Sequence, residues 1–160
     1  PCTCELSQLK ALAQAHHITN FGNENKDFWL SLLLTHLIEP QLPPNQPTFI
    51  YDYPATQAAL AQIRKGNPPL AARFEVYVGP HELANGFHEL RDAKEQRLRF
   101  EKDRSLRMQQ GKSLPPLDEK LLAALQQGLP PCAGVALGID RLMMLATQQD
   151  HIQKVMSFIK

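Results

Sequence analysis

The seven residues from Gly134 to Asp140 read Gly-Val-Ala-Leu-Gly-Ile-Asp, the smallest side chains alternating with bulky aliphatic ones. Successive side chains of a strand point to opposite faces. As a strand over 134–140, the run sets Val135, Leu137 and Ile139 on one face and leaves Gly134, Ala136 and Gly138 on the other. So bare a face leaves room for another backbone, the usual account of a glycine-rich strand, or for a ligand. The next residues favour the ligand. Asp140 is a good helix N-cap, and Arg141 opens the apolar run Leu142-Met143-Met144-Leu145. A helix N-terminus offers free N–H groups and partial positive charge, and a guanidinium beside it can clamp a phosphate. The expectation is a ligand on the bare strand face with its phosphates at the strand-to-helix junction.

Around this strand, the periodicities predict a lead-in of helices and then a small sheet. Glu5 to Ala15 and Phe28 to Ile38 carry leucines at helical spacing, the first capped by Thr3 and the second ended by Pro40. Thr48 to Tyr51 is a short strand candidate, and Ala55 to Gly66 is ambiguous between prolines. Arg73 to Val78 alternates cleanly: Phe74, Val76 and Val78 form its expected core face, with Arg73, Glu75 and Tyr77 opposite. Gly79-Pro80 turns the chain into a strand over Glu82 to Glu89, with Asn85-Gly86 signalling a bulge or kink. Asp92 to Gln110 is a long charged helix, Asp118 caps another through Gln127, and a last helix covers about His151 to Met156. Few strands, joined by a hairpin and by helical insertions, imply a mostly antiparallel α+β arrangement.

Glu75, Glu82, Asn85 and Glu89 are the chemistry-bearing groups of the hairpin. If its strands pair, the four can converge on one surface. Clustered carboxylates are costly unless a cation satisfies them. Mg²⁺, which takes hard oxygen ligands and shares phosphates, and an amine-bearing substrate both fit; a solvated outer sheet face is the plain alternative. Eight of the seventeen basic residues fall between Arg91 and Lys112, interleaved with acids. That is a solvated helix laced with i,i+4 pairs, or else an edge of a docking surface for nucleic acid or an acidic protein. Net charge is only +1, so no global field calls for nucleic acid or membrane. No apolar run reaches the length of a membrane span. Three cysteines, an odd number, argue against a disulfide framework and for a cytoplasmic, reduced setting. Cys2, Cys4, His16 and His17 match no standard zinc spacing.

Two stretches resemble one family. Gly134 to Arg141 is similar to motif 3 of class II aminoacyl-tRNA synthetases, roughly G-φ-G-φ-G-φ-D-R. RFEVYVGPHELANGFHELRDAKEQRLRF, from Arg73 to Phe100, resembles the matching part of lysyl-tRNA synthetases and, more closely, of their paralogues the elongation factor P (R)-β-lysine ligases. The resemblance implies a class II synthetase-like antiparallel sheet flanked by helices. It implies ATP and Mg²⁺ as cofactors. Glu75, with Val76 beside it, would bind ATP through the metal, and Glu82 would stand between metal and substrate amine. Asn85 and Glu89 would recognise the amino groups of lysine or (R)-β-lysine. Gly138 would abut ATP and Arg141 would grip its terminal phosphate, which makes Glu75 and Arg141 the expected catalytic pair.

Ala136 stands where lysyl-tRNA synthetases have a middle glycine, and His88 where they have serine. A methyl beside the substrate's α-carbon is worth about 1–3 kcal/mol in discrimination, so these positions favour the ligase, with elongation factor P as acceptor, over tRNA charging. Motif 1, expected at a homodimer interface, and motif 2 are not found before residue 48. Residues 1–160 are therefore expected to be the C-terminal part of a catalytic domain, with 1–47 as helical lead-in and 48–160 as the sheet with motif 3. Such a part is expected to be inactive alone. A tRNA-charging enzyme and a non-catalytic binding or dimerisation module are the competing readings.

Overall fold

The computed structural model describes residues 3–18 and 25–158. Helix α1 spans Leu6–Ala15 and α2 spans Lys26–Leu33. The α1 cap is Glu5, in a reciprocal capping box with Gln8, rather than Thr3. Asn25 caps α2 by accepting from the Asp27 N–H. Leu9 and Ala13 of α1 bury against Trp29 and Leu33 of α2, a small core of their own. The second helix does not run regularly to Ile38: it widens into a π-helical turn over Leu34–Ile38 and ends in a 3₁₀ turn, Glu39–Gln41.

The sheet follows. Strands β1 (Pro47–Pro54), β2 (Ile63–Arg64), β3 (Leu70–Val78), β4 (His81–His88) and β5 (Ala133–Leu137) are all antiparallel, in the order β1-β3-β4-β5, with β2 also on β3. The ambiguous stretch after Pro54 becomes the 3₁₀ turn Ala55–Gln57 and then β2. Gly79, at φ 55°, makes the tight β3–β4 turn. Helices α3 (Ala93–Gln109), α4 (Glu119–Gln127) and α5 (Ile139–Ala146) complete the expected α+β arrangement. Asp92 and Asp118 cap α3 and α4 as their sequence positions predict. Leu122 of α4 is only 1% exposed, a burial worth roughly 1.5–3 kcal/mol. The last helix shortens to a 3₁₀ turn, Ile152–Lys154.

The basic helix α3 spends its guanidinium groups internally. Arg97 bonds Glu119 twice, at 3.1 and 2.5 Å. Arg99 pairs with Glu95 and holds the Ala59 and Ala61 carbonyls, while Arg104 and Arg107 hold those of Pro115 and Ser113. Of these, only Arg99–Glu95 is an i,i+4 pair; the other contacts tie α3 to α4 and to neighbouring loops.

The sheet is packed inside out relative to its expected core. On β3 it is Ala71, Glu75 and Tyr77 that are buried, while Phe74, Val76 and Val78 are only half-buried. Cross-strand rows Phe49–Val76–Ala84–Leu137 and Tyr51–Phe74–Gly86–Val135 make one apolar face. Its outer strands are open: Tyr51 is 69% and Val135 62% exposed, and Phe49, Leu137 and Ile139 are exposed too. The expected core face is therefore open at its outer strands and half-covered at its centre, and the deepest burial on β3 lies on the polar face.

Candidate active site

Two irregularities assemble the polar face. Strict alternation would put Glu82 with Ala84 and Gly86, opposite to Asn85. Between Val76 and Tyr77 the β3–β4 register slips, so that Leu83 is an extra residue on β4 and Glu82 lies opposite Tyr77. A bulge of this kind re-aims side chains, and here it turns Glu82 to the Glu75–Asn85 face. It falls at Leu83, not at the expected Asn85-Gly86. The second slip lies between Tyr51 and Tyr53, where Asp52 has φ 62°. It brings Tyr53 to the buried face while Tyr51 stays on the apolar one.

The centre of this face is Glu75, 6% exposed. Its Oε2 accepts from the Tyr53 hydroxyl at 2.5 Å and the Tyr77 hydroxyl at 2.7 Å. Its Oε1 pairs with Arg73 and, at 3.5 Å, with Asn85 Nδ2. Arg73 lies 4.5 Å over the Tyr53 ring and also donates to Gln57 O at 2.8 Å. Burial first, then the hydrogen bond to Glu75, pushes both phenols far up, so each stays an O–H donor. A solvated outer face is excluded by this burial.

Glu82, Tyr77, His81 and Arg141 line a cleft of about 200 Å³ with Pro80 and Glu39. The end of β5 is pinned to it: Gly138 N–H donates to Leu83 O at 2.8 Å and Arg141 to Glu82 O at 2.6 Å. The Arg141 guanidinium is 3.8 Å from Glu82 Oε2 and half-exposed, with room for another anion. The strand ends at Leu137 rather than Asp140. Gly138, not Asp140, is the N-cap of α5; Asp140 and Arg141 sit in its first turn. Ala136 faces Asn85 across the β4–β5 ladder, and neither it nor Gly138 is packed against core leucines. The atoms nearest a Cβ on Gly138 would be the Leu83 carbonyl oxygen and the Arg141 side chain, at ordinary contact distance.

The acidic groups do not all meet. Asn85 and Glu89 are four residues apart on one strand line, roughly 13 Å at strand rise. Glu89 lies instead at Gly134, its N–H on Cys132 O and its carbonyl bonded by Gln62. Glu75, Glu82, Asn85 and Glu89 thus share one sheet face, with Glu82 on the Arg141 cleft and Glu89 farther along, beside Gly134. No cluster of three His, Cys, Asp or Glu suited to a metal occurs among the described residues. Cys4 is free there, and Cys2 of the zinc reading lies outside them. Two carboxylates still suit Mg²⁺, which takes few protein ligands and shares phosphates. The fit has a physical sign: burial and the charge of Glu75 push the Glu82 carboxyl above its usual range, against the pull of Arg141 and Arg73. A cation would offset both by stabilising the charged carboxylate.

Val76 points to the apolar face and brings only its backbone to Glu75's side. Arg73, Tyr77, Tyr53 and Glu39 were not singled out in the sequence. Arg73 and Tyr77 flank Glu75 at period two, a readable signal. Tyr53 needs the Asp52 irregularity, which the sequence does not mark, and Glu39 needs the helix end that Pro40 marks without showing where the carboxylate goes.

The geometry is thus a small-faced edge strand, an Arg pinned at the start of the following helix, and the carboxylates of Glu75 and Glu82 on the adjoining hairpin. The family model for class II tRNA synthetases (D, K and N) matches residues 17–160. The chain belongs to this family. Among curated relatives it is similar to elongation factor P–(R)-β-lysine ligases: 49% identical over 160 residues to that of Klebsiella pneumoniae (strain 342), and 48% over 158 residues to that of Haemophilus ducreyi (strain 35000HP). That of Vibrio cholerae serotype O1 is 48% identical over 160 residues. Each match covers 99% of this chain but 48–49% of the relative, so this class II chain spans about half the length of the curated relatives it matches.

Proposed function

We propose that this chain is the motif 3 part, lead-in 1–47 and sheet 48–160, of an ATP-dependent ligase that activates (R)-β-lysine or lysine and transfers it to a lysine of elongation factor P. One observation carries the reading: the Leu83 bulge sets Glu82 beside Glu75 on the face that also holds Asn85, Ala136 and, through Gly138, the Arg141 junction. The identity to the named ligases supports it.

In this reading Arg141 binds the terminal phosphate, and Gly138 lets ATP approach the strand end. Glu75, Val76 and Glu82 hold the nucleotide, the carboxylates through Mg²⁺, which when bound neutralises phosphate charge. Glu82 and Asn85 orient one substrate amine; Glu89, farther along the bare face past Ala136 and Gly134, takes the other. The substrate carboxylate attacks the α-phosphorus, pyrophosphate leaves, and the acceptor amine then displaces AMP from the acyl adenylate. The residues' work is alignment and charge stabilisation. The complete enzyme is proposed to be a cytoplasmic homodimer, and no described helix is long and apolar enough to cross a membrane.

The test is pyrophosphate exchange by the complete protein with lysine and with (R)-β-lysine, followed by acyl transfer to elongation factor P and to tRNA. Preferred β-lysine exchange with transfer to the protein supports the ligase. Transfer to tRNA alone supports the family's tRNA-charging reading. No exchange supports a non-catalytic module.

A further inference from the structure

We infer that Tyr53 and Tyr77 are positioning residues that lock the Glu75 carboxylate and so set the site's affinity for a divalent cation–nucleotide complex. The inference rests on the reading of Glu75 and Glu82 as Mg²⁺–ATP groups. Both hydroxyls end on the same oxygen, Oε2, at 2.5 and 2.7 Å, one reaching it from β1 and the other from β3. A carboxylate oxygen has about two acceptor positions, so Oε2 is filled. Any rotation of the carboxylate breaks both bonds at once. Oε1 is held by the Arg73 guanidinium and, at 3.5 Å, by the Asn85 amide. The phenols thus fix the orientation in which the carboxylate presents Oε1 to Arg73 and Asn85. A phenol does so without adding a second positive charge to that of Arg73. Tyr77 has a single proton to give; Glu39 Oε1 is its second neighbour at 3.5 Å, farther than Glu75. Groups of this kind behind a ligand typically change metal affinity about 10–100-fold when removed.

Phenylalanine makes a clean test. Tyr53→Phe keeps the ring beneath Arg73 and removes only the O–H, and Tyr77→Phe does the same at its position. Mn²⁺–ATP binding by titration calorimetry and Mg²⁺-dependent pyrophosphate exchange are measured on the complete protein, wild type and each variant, with thermal melts of the same samples. The expected result is at least about tenfold weaker Mn²⁺–ATP binding in each variant. The Mg²⁺ needed for half-maximal exchange rises with it, while the rate at saturating Mg²⁺ stays near that of wild type. A merely structural role would lower the melting temperature and leave cation affinity alone. Unchanged or tighter binding in folded variants overturns the inference. Wild type that binds Mn²⁺–ATP yet exchanges with neither amino acid overturns the proposed activity, and the binding comparison still decides the positioning role. Wild type that does not bind Mn²⁺–ATP overturns both.

Discussion

Glu89 folds its carboxylate over Gly134, with Oε1 in the space a Cβ on that glycine would need. Gly134→Ala must therefore push the carboxylate aside. The displaced atom is the far end of a flexible side chain, so stability should fall by less than the roughly 1–3 kcal/mol of a rigid overpacked site. The cost should instead appear as a raised KM for the amino acid with kcat little changed, because Glu89 is proposed to bind a substrate amine. Gly86→Ala is the contrast: its Cβ meets the Phe74 ring and, at 3.1 Å, the Gly134 carbonyl. It should lose about 1–3 kcal/mol in urea denaturation.

Arg73 is the cation that accompanies buried Glu75. Arg73→Met leaves that carboxylate with its hydroxyl donors but no positive charge, and should cost about 3–5 kcal/mol. Adding Glu75→Gln should recover part of the loss. A double-mutant cycle by urea denaturation checks this; additive effects would show that the pair contributes nothing as a pair.

Glu82 should make the fold sensitive to pH. Burial, then the charge of Glu75, raises its carboxyl above the ordinary 4.5. Between that value and the raised one the folded state holds the proton that the unfolded state has lost. Stability therefore falls as pH rises through the window. Glu82→Gln removes the penalty. Its melting temperature should exceed wild type at pH 7, with the difference vanishing below about pH 4.5. Saturating Mg²⁺–ATP should raise the melting temperature of wild type and not of the variant.

Ala136 adds one methyl to the bare face directly across from Asn85. Ala136→Gly should admit α-lysine better relative to (R)-β-lysine, by about 1–3 kcal/mol or roughly ten- to two-hundredfold in relative kcat/KM. Pyrophosphate exchange with both amino acids checks it; an unchanged ratio would reduce Ala136 to packing.

Local patterns were enough for much of this molecule. The period-two run Gly134 to Leu137, the Asp92 and Asp118 caps and the β3–β4 hairpin depend on neighbours a few residues apart. Steric alternation and N–H capping act over that range, so the chain by itself determined these elements and the antiparallel α+β class. Three other features rested on contacts between distant segments. The Leu83 bulge that turns Glu82 inward is pinned by the Gly138 N–H, fifty-five residues on. Tyr53 reaches Glu75 only through the register slip at Asp52. The polar face of β3 is the buried one because arginine, two phenols and an amide satisfy its carboxylate, whereas hydrophobic alternation ranks Phe74 and Val76 as core. Burial follows whichever face finds partners, and only the tertiary structure supplies them.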